Sequence, residues 1–180
     1  IVGDRVFYLI LQRLSGNVSF ARNWTEYENG FGDSSDFWIG LRIINELTGS
    51  TPRLLRVEAV TWAGVFSACE YTNFTVAGAS TNYAMTFGSY INSNMSSDSL
   101  TYHKGMQFST TDRDNDHRSS SCSNTYGYGG WWFYSCFIAN PTGQFRYSTA
   151  SDSTGMIWKG AATSSSSEPL KSIRLMVQLV

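Results

Sequence analysis

Three aspartates alternate along the segment DRDND, as Asp112, Asp114 and Asp116, and Cys122 and Cys136 follow within a Ser-, Gly- and aromatic-rich stretch. Carboxylates at that spacing present hard oxygens, the ligands a calcium ion takes at roughly 2.3–2.6 Å together with backbone carbonyls. An EF-hand loop opens the same way but requires Gly at its sixth position and a bidentate Glu at its twelfth. His117 and Ser123 occupy those positions, so an EF-hand is excluded. Two readings stay open. One is a calcium loop of another type, completed by carbonyls of the Ser-rich segment 118–121; the other is a solvated acidic turn held by local side-chain bonds. Zinc is not expected, because His103 and His117 are the only histidines and the cysteines are better explained as a bridge.

The same window carries Tyr126, Trp131, Trp132, Phe133, Tyr134 and Phe137. Indole rings are usually buried, so the Trp pair reads as core, whereas Tyr126 and Phe137 stay open to stacking on a sugar or an acetyl methyl. Catalytic signatures are missing: no G-x-S-x-G elbow, H-E-x-x-H helix, phosphate loop or dinucleotide fingerprint occurs. His103 reads as a hydrogen-bonded structural residue, and an enzyme is not expected. Three cysteines imply one disulfide and one residue left over. A bridge from Cys122 to Cys136 would close a short loop, worth about 3 kcal/mol of chain entropy. Cys69 is then either a buried small apolar residue or the source of an intermolecular bridge.

Composition bounds the setting. The 180 residues are 42% hydrophobic, 15% aromatic and only 15% charged, with a net charge of −1. Sparse charge with abundant Ser, Thr, Asn, Tyr and Trp points to a secreted, extracellular domain. Scattered Lys and Arg give neither the footprint of a nucleic-acid binder nor a basic patch for anionic membrane. The longest apolar run, Val6 to Leu11, is too short to cross a bilayer and lacks the flanks of a signal peptide, so a mature or trimmed chain is expected. Sequons at Asn17, Asn23, Asn73 and Asn94 mark candidate glycosylation sites, whereas Pro141 disqualifies Asn140.

Such a window needs a scaffold, and periodicity supplies one. Val6–Leu11 predicts a strand buried on both faces. Asn23–Gly30 predicts a short helix with Asn23 as N-cap and Glu26 completing a capping box. Ile39, Ile43 and Leu47, four residues apart, predict a second helix over Phe37–Thr48, closed by Gly49. After Pro52 the period falls to two: Leu55, Val57 and Ala59, then Val65 to Tyr71, then Tyr83, Met85 and Phe87 predict antiparallel strands. From Gly88 to Gly160 periodicity disappears, and so long an irregular stretch needs metal, disulfide and aromatic packing to order it. Ser172–Val180 alternates again and predicts a C-terminal strand returning to the sheet of the first half. The expectation is a single α+β domain.

Four segments, in order, carry a resemblance: QRLSGNVSFARNWTEYENGFGDSSDFWIG, LTYHKGMQFSTTDRDNDHRSSSC, GGWWFYSCFIANPTGQF and GMIWKGAATSSSSEPLKSIRLMVQL. The chain resembles a fibrinogen-like domain. The resemblance implies a twisted antiparallel sheet with short flanking helices and a loop-rich calcium and ligand lobe, without the family's N-terminal subdomain. It implies that Asp114 and Asp116 hold Ca2+ with the carbonyls of Arg118 and Ser120, and that Asp112 supports them. Cys122 pairs with Cys136 on the same grounds, and the Ser135–Cys136 peptide bond is expected to be cis. Lectin members such as ficolins and tachylectins bind acetyl groups beside this disulfide, through backbone N–H groups at and after the second cysteine and aromatics around the methyl.

Carried over, that pocket falls on Tyr126, Cys136, Phe137, Asp152 and Ser153. Phe137 departs from the family's common His, Asp152 from an aromatic of lectin members, and the inter-cysteine loop is one residue longer around Tyr128. Asp152 would make the site more polar. The implied function is a secreted, calcium-dependent lectin domain for acetylated or related glycans in innate recognition, acting as a homo-oligomer or within a larger extracellular protein. The rival is a structural or protein-interaction module of an extracellular assembly.

Overall fold

The computed structural model describes residues 2–161, 163 and 165–179. The first half runs β1 (Phe7–Arg13), α1 (Trp24–Asn29), β2 (Phe31–Gly32), β3 (Phe37–Trp38), α2 (Leu41–Thr48), β4 (Arg53–Val60) and β5 (Phe66–Val76). The irregular lobe contributes β6 (Met85–Thr86), β7 (Tyr90–Asn92), α3 (Cys122–Thr125), β8 (Ala139–Asn140) and β9 (Ile157–Trp158), and β10 (Ser172–Gln178) follows it. The main sheet is antiparallel in the order β2-β3-β1-β10-β4-β5-β6, with β7 also on β5. As the alternation required, β10 returns to this sheet, and it enters the middle: Leu175 faces Leu11 on one side and Val57 on the other. The α+β expectation holds.

Alternation sorts the two faces of the sheet. Leu55, Val57 and Ala59 join Ile173, Leu175 and Val177 in the core. On the opposite face Arg56 reaches Glu58 at 2.8 Å and Glu70 at 2.9 Å, and Glu70 also pairs with Arg5 at 2.7 Å. Each buried charge there has an opposite partner, the condition for keeping ions at a half-dry surface.

Three local expectations are corrected. Val6 and Tyr8 are each 47% exposed, so the first run is not buried on both faces from its start. The reason lies in pairing: β3 meets β1 only at Leu11 and Gln12, and upstream of them β10 is the partner. Secondly, Phe37–Trp38 is a strand rather than the first turn of a helix, and α2 begins at Leu41. Gly40 enforces that break, since its φ of 107° suits glycine and an added Cβ would sit 2.8 Å from the Asn29 carbonyl carbon. The buried stripe of α2 is Leu41, Ile44 and Thr48, while Ile43 is exposed. Thirdly, only Met85–Thr86 of the Tyr83–Phe87 segment pairs with β5, because Tyr83 adopts a left-handed φ of 53°.

The capping box of α1 forms as read: Asn23 accepts from the Glu26 N–H, and Glu26 accepts from the Asn23 N–H. The Trp pair is core, with Trp131 and Trp132 at 5.0 Å and Phe108 edge-on to Trp132 at 5.1 Å. Trp132 also meets Trp38 of β3 at 6.1 Å, which fastens the lobe to the sheet. Among the described residues no helix is long and apolar enough to cross a membrane.

Candidate functional site

The three aspartates take three different jobs. Asp112 accepts from the Thr110 hydroxyl at 2.7 Å and from the Trp24 N–H at 2.9 Å, which ties the acidic loop to the first turn of α1. Among the described residues Asp114 accepts from the Asp116 N–H, at 3.2 Å. Asp116 accepts from the Arg118 and Cys122 N–H groups, both at 2.8 Å, and so links the acidic loop to the start of α3. Partial burial, then the adjacent Asp114 carboxylate, raises the Asp116 pKa above the usual carboxylate range. Two carboxylates crowded in this way suit a divalent cation, which would remove the repulsion between them.

The donor chemistry fits a hard ion. Asp114, Arg118 and Ser120 are exposed residues, and the carbonyls of the last two accept no hydrogen bond among the described residues. No group of three or more His, Cys, Asp or Glu gathers among the described residues, so a cation here would depend on carbonyl oxygens and water beside Asp114 and Asp116.

Next to this loop stands the bridge. Cys122 and Cys136 form a disulfide with Cα atoms 5.5 Å apart, and the Ser135–Cys136 peptide bond is cis. Ser121 caps α3 by accepting from the Asn124 N–H at 3.2 Å, and Tyr126 closes the turn through its N–H to the Cys122 carbonyl at 2.9 Å. A hollow of about 190 Å³ opens there, lined by Tyr126, Cys136, Phe137, Ser153, Lys159 and Ser167. The Tyr126 and Phe137 rings meet edge to face at 5.1 Å. The N–H groups of Cys136 and Phe137 find no acceptor among the described residues, a state that water or a ligand oxygen would end.

Of the five pocket residues implied by resemblance, four line this hollow and Asp152 does not. Its carboxylate accepts from the Thr154 N–H at 2.9 Å and hydroxyl at 2.6 Å, and pairs with Arg146 at 2.8 Å. The Thr154 hydroxyl foremost, with Arg146 assisting, lowers the Asp152 pKa. Asp152 thus fixes a turn.

Two contributors, Lys159 and Ser167, escaped the sequence reading, and Arg118 and His103 do more than it assigned them. Lys159 and Ser167 reach the hollow from the segment after β9. The Arg118 side chain lies over the Tyr126 ring at 5.7 Å and reaches its hydroxyl at 3.3 Å, so more than its carbonyl is at the site. His103 sits behind: Nδ1 is 2.7 Å from the Trp132 carbonyl, and Nε2 accepts from the Ile138 and Ala139 N–H groups at 3.2 and 3.1 Å. Neither Lys159 nor Ser167 had a local signal of spacing or period.

Asn17, Asn23, Asn73 and Asn94 are all exposed, though the Asn94 amide is clamped between the Phe66 carbonyl and the Ala68 N–H. Cys69 is a buried free thiol whose pKa burial pushes up to about 12, which fits the small apolar reading.

The family model for the C-terminal globular domain of fibrinogen beta and gamma chains matches residues 3–178. Fibrinogen-like protein A of Apostichopus parvimensis is 37% identical over 137 residues, covering 74% of this chain and 48% of that protein. Ryncolin-4 of Cerberus rynchops is 36% identical over 141 residues, covering 77% and 40%. The chain thus spans about half or less of the length of these relatives. Among solved structures, the fibrinogen-like globe domain of human ANGPTL2 superposes with a TM-score of 0.88 at 33% identity, covering 95% of this chain and 79% of that one. A lamprey fibrin D-dimer in complex with the peptide ligand Gly-His-Arg-Pro-amide gives 0.87 at 26%, covering 99% and 62%. On these matches the chain belongs to the family of the fibrinogen beta and gamma C-terminal globular domain.

Proposed function

We propose that the chain is a binding module whose disulfide hollow recognises acetylated glycans, with a calcium ion on Asp114 and Asp116 ordering the loop beside it. One observation carries the reading: the N–H groups of Cys136 and Phe137 have no acceptor among the described residues, and both residues line a hollow walled by two aromatic rings. An acetyl oxygen would accept from those groups while its methyl packs on Tyr126 and Phe137. The carbonyls of Arg118 and Ser120 complete the cation's oxygen set. Asp116 couples the two sites, because the same carboxylate holds the N–H of Cys122.

No step of this reading needs catalysis. So shallow a hollow gives modest affinity, and useful retention then comes from several copies acting together in a secreted, extracellular assembly. The similarity to a fibrin D-dimer in complex with a peptide supports a second reading, a protein-interaction module that takes a peptide in the same hollow.

Chromatography on N-acetylglucosamine resin tests the first reading. Retention in calcium, release by chelator, and loss of retention in Tyr126→Ala with the thermal midpoint little changed are the expected outcomes. Asp116→Asn should behave as the chelated protein does. Retention indifferent to chelator removes the cation from the scheme, and capture of short peptides but not acetylated sugars selects the second reading.

A further inference from the structure

A larger hollow, of about 280 Å³, shares a wall with the disulfide pocket: Tyr126 lines one and Gly127 the other. Its size lies just below the roughly 300–1,000 Å³ of small-molecule sites. It opens between the turn that follows β1 and the segment that follows β8, and one of its lining residues is Arg13. Arg13 is 1% exposed. Its Nη1 donates to the carbonyls of Pro141 and Gly143 at 3.1 and 2.9 Å, and its guanidinium carbon lies 3.8 Å from the centre of the Phe20 ring.

The rest of that guanidinium is unused. Nε is buried without a partner, and Nη2 donates to no acceptor among the described residues. Nε and Nη2 form one edge of the planar group, the edge that matches a carboxylate through two parallel N–H···O bonds. Asp36, the acid whose charge Arg13 feels, is already occupied: it accepts from the Leu14, Ser15 and Asn17 N–H groups at 2.6, 3.0 and 3.0 Å and from the Ser15 hydroxyl. Burial lowers the Arg13 pKa to about 10, with Tyr27 and Asp36 offsetting only part of the cost. A buried cation with no ion-pair partner is expensive unless an anion comes to it.

The rim suits a sugar. Phe145 lines the hollow, and it belongs to an aromatic cluster with Tyr147 at 5.0 Å and Trp62 at 6.4 Å. Tyr147 is 73% exposed, a large ring left in solvent next to the opening. Gln144 and Ser19 add polar groups to the lining.

We propose that this hollow is a second saccharide subsite selective for acidic sugars, with the sugar carboxylate on the Arg13 guanidinium and the ring against Phe145. The subsite is separate from the acetyl pocket and requires no cation.

Calorimetric titration of the whole chain with methyl β-glucuronoside and methyl β-glucoside, both in chelator, tests it. The charged sugar should bind saturably and the neutral one at least tenfold more weakly. Ala21 also lines the hollow, and Ala21→Trp, which puts a ring into it, should weaken glucuronoside binding at least tenfold while the thermal midpoint and retention on acetyl resin stay unchanged. Tyr126→Ala should do the reverse, losing the resin and keeping the glucuronoside. Arg13→Lys keeps the charge but not the fork, and should cost about tenfold; should it fail to fold, Ala21→Trp decides. Equal binding of the two sugars, loss of binding in Tyr126→Ala, no effect of Ala21→Trp, or equal displacement by inorganic sulfate would each overturn the assignment.

Discussion

His103 is fully buried, and its ring serves three backbone groups at once, the Trp132 carbonyl and the N–H groups of Ile138 and Ala139. Accepting at Nε2 demands a neutral ring with its proton on Nδ1, and burial lowers the pKa to about 4. An unfolded histidine titrates near 6.5, so above that pH both states are neutral and the full contribution to stability is present. As pH falls from about 6.5 toward 4 the unfolded chain takes up a proton that the folded chain refuses, and stability drops. At pH 5 the loss should be about 2 kcal/mol. Urea unfolding at pH 7.5 and pH 5 should show a lower midpoint at pH 5, and His103→Gln, which cannot titrate, should narrow the gap. Unequal visibility in the sequence follows from the same kind of contact. Asp114, Asp116, Tyr126 and Phe137 announce themselves through one short window, whereas His103, Lys159 and Ser167 meet it only because the fold brings distant segments together.

Helix α1 was legible because its capping box is written in consecutive residues, and Asn23 and Glu26 satisfy each other's N–H groups at 2.9 and 3.0 Å. What the sequence concealed is that Asp112, far along the chain, takes the Trp24 N–H of the same first turn. Asn23→Ala should cost about 1 kcal/mol. Asp112→Ala should cost a similar amount and loosen the acidic loop as well. Since both serve one helix end, the double variant should lose measurably more or less than the sum in chemical denaturation, the signature of coupled sites. Helix α2 was misread for an equally physical reason. Ile39 continues the four-residue spacing backward across Gly40, and spacing alone does not register that a glycine with φ 107° breaks the helix there.

For the molecule as a whole, alternation in 172–180 foretold a strand and its return to the sheet, but nothing in that pattern specified a central place. Pairing shows it: β10 touches β1 along one edge and β4 along the other, so among the described residues it is the strand that joins the two parts of the sheet. A chain ending at Lys171 should therefore lack a cooperative unfolding transition, and should expose apolar surface that a dye such as ANS reports. A sharp transition in that truncated chain would mean that lobe and helices hold together without the strand.

The place of β10 also bears on the chain's synthesis. At roughly 5–20 residues per second, some 6–24 s separate the making of Val60 from that of Gln178. Throughout that interval the facing edges of β1 and β4 have no strand between them, and they offer neighbouring nascent chains the same backbone groups. Chaperones that cover strand edges during translation should raise the yield of this protein more than those that act on the released chain.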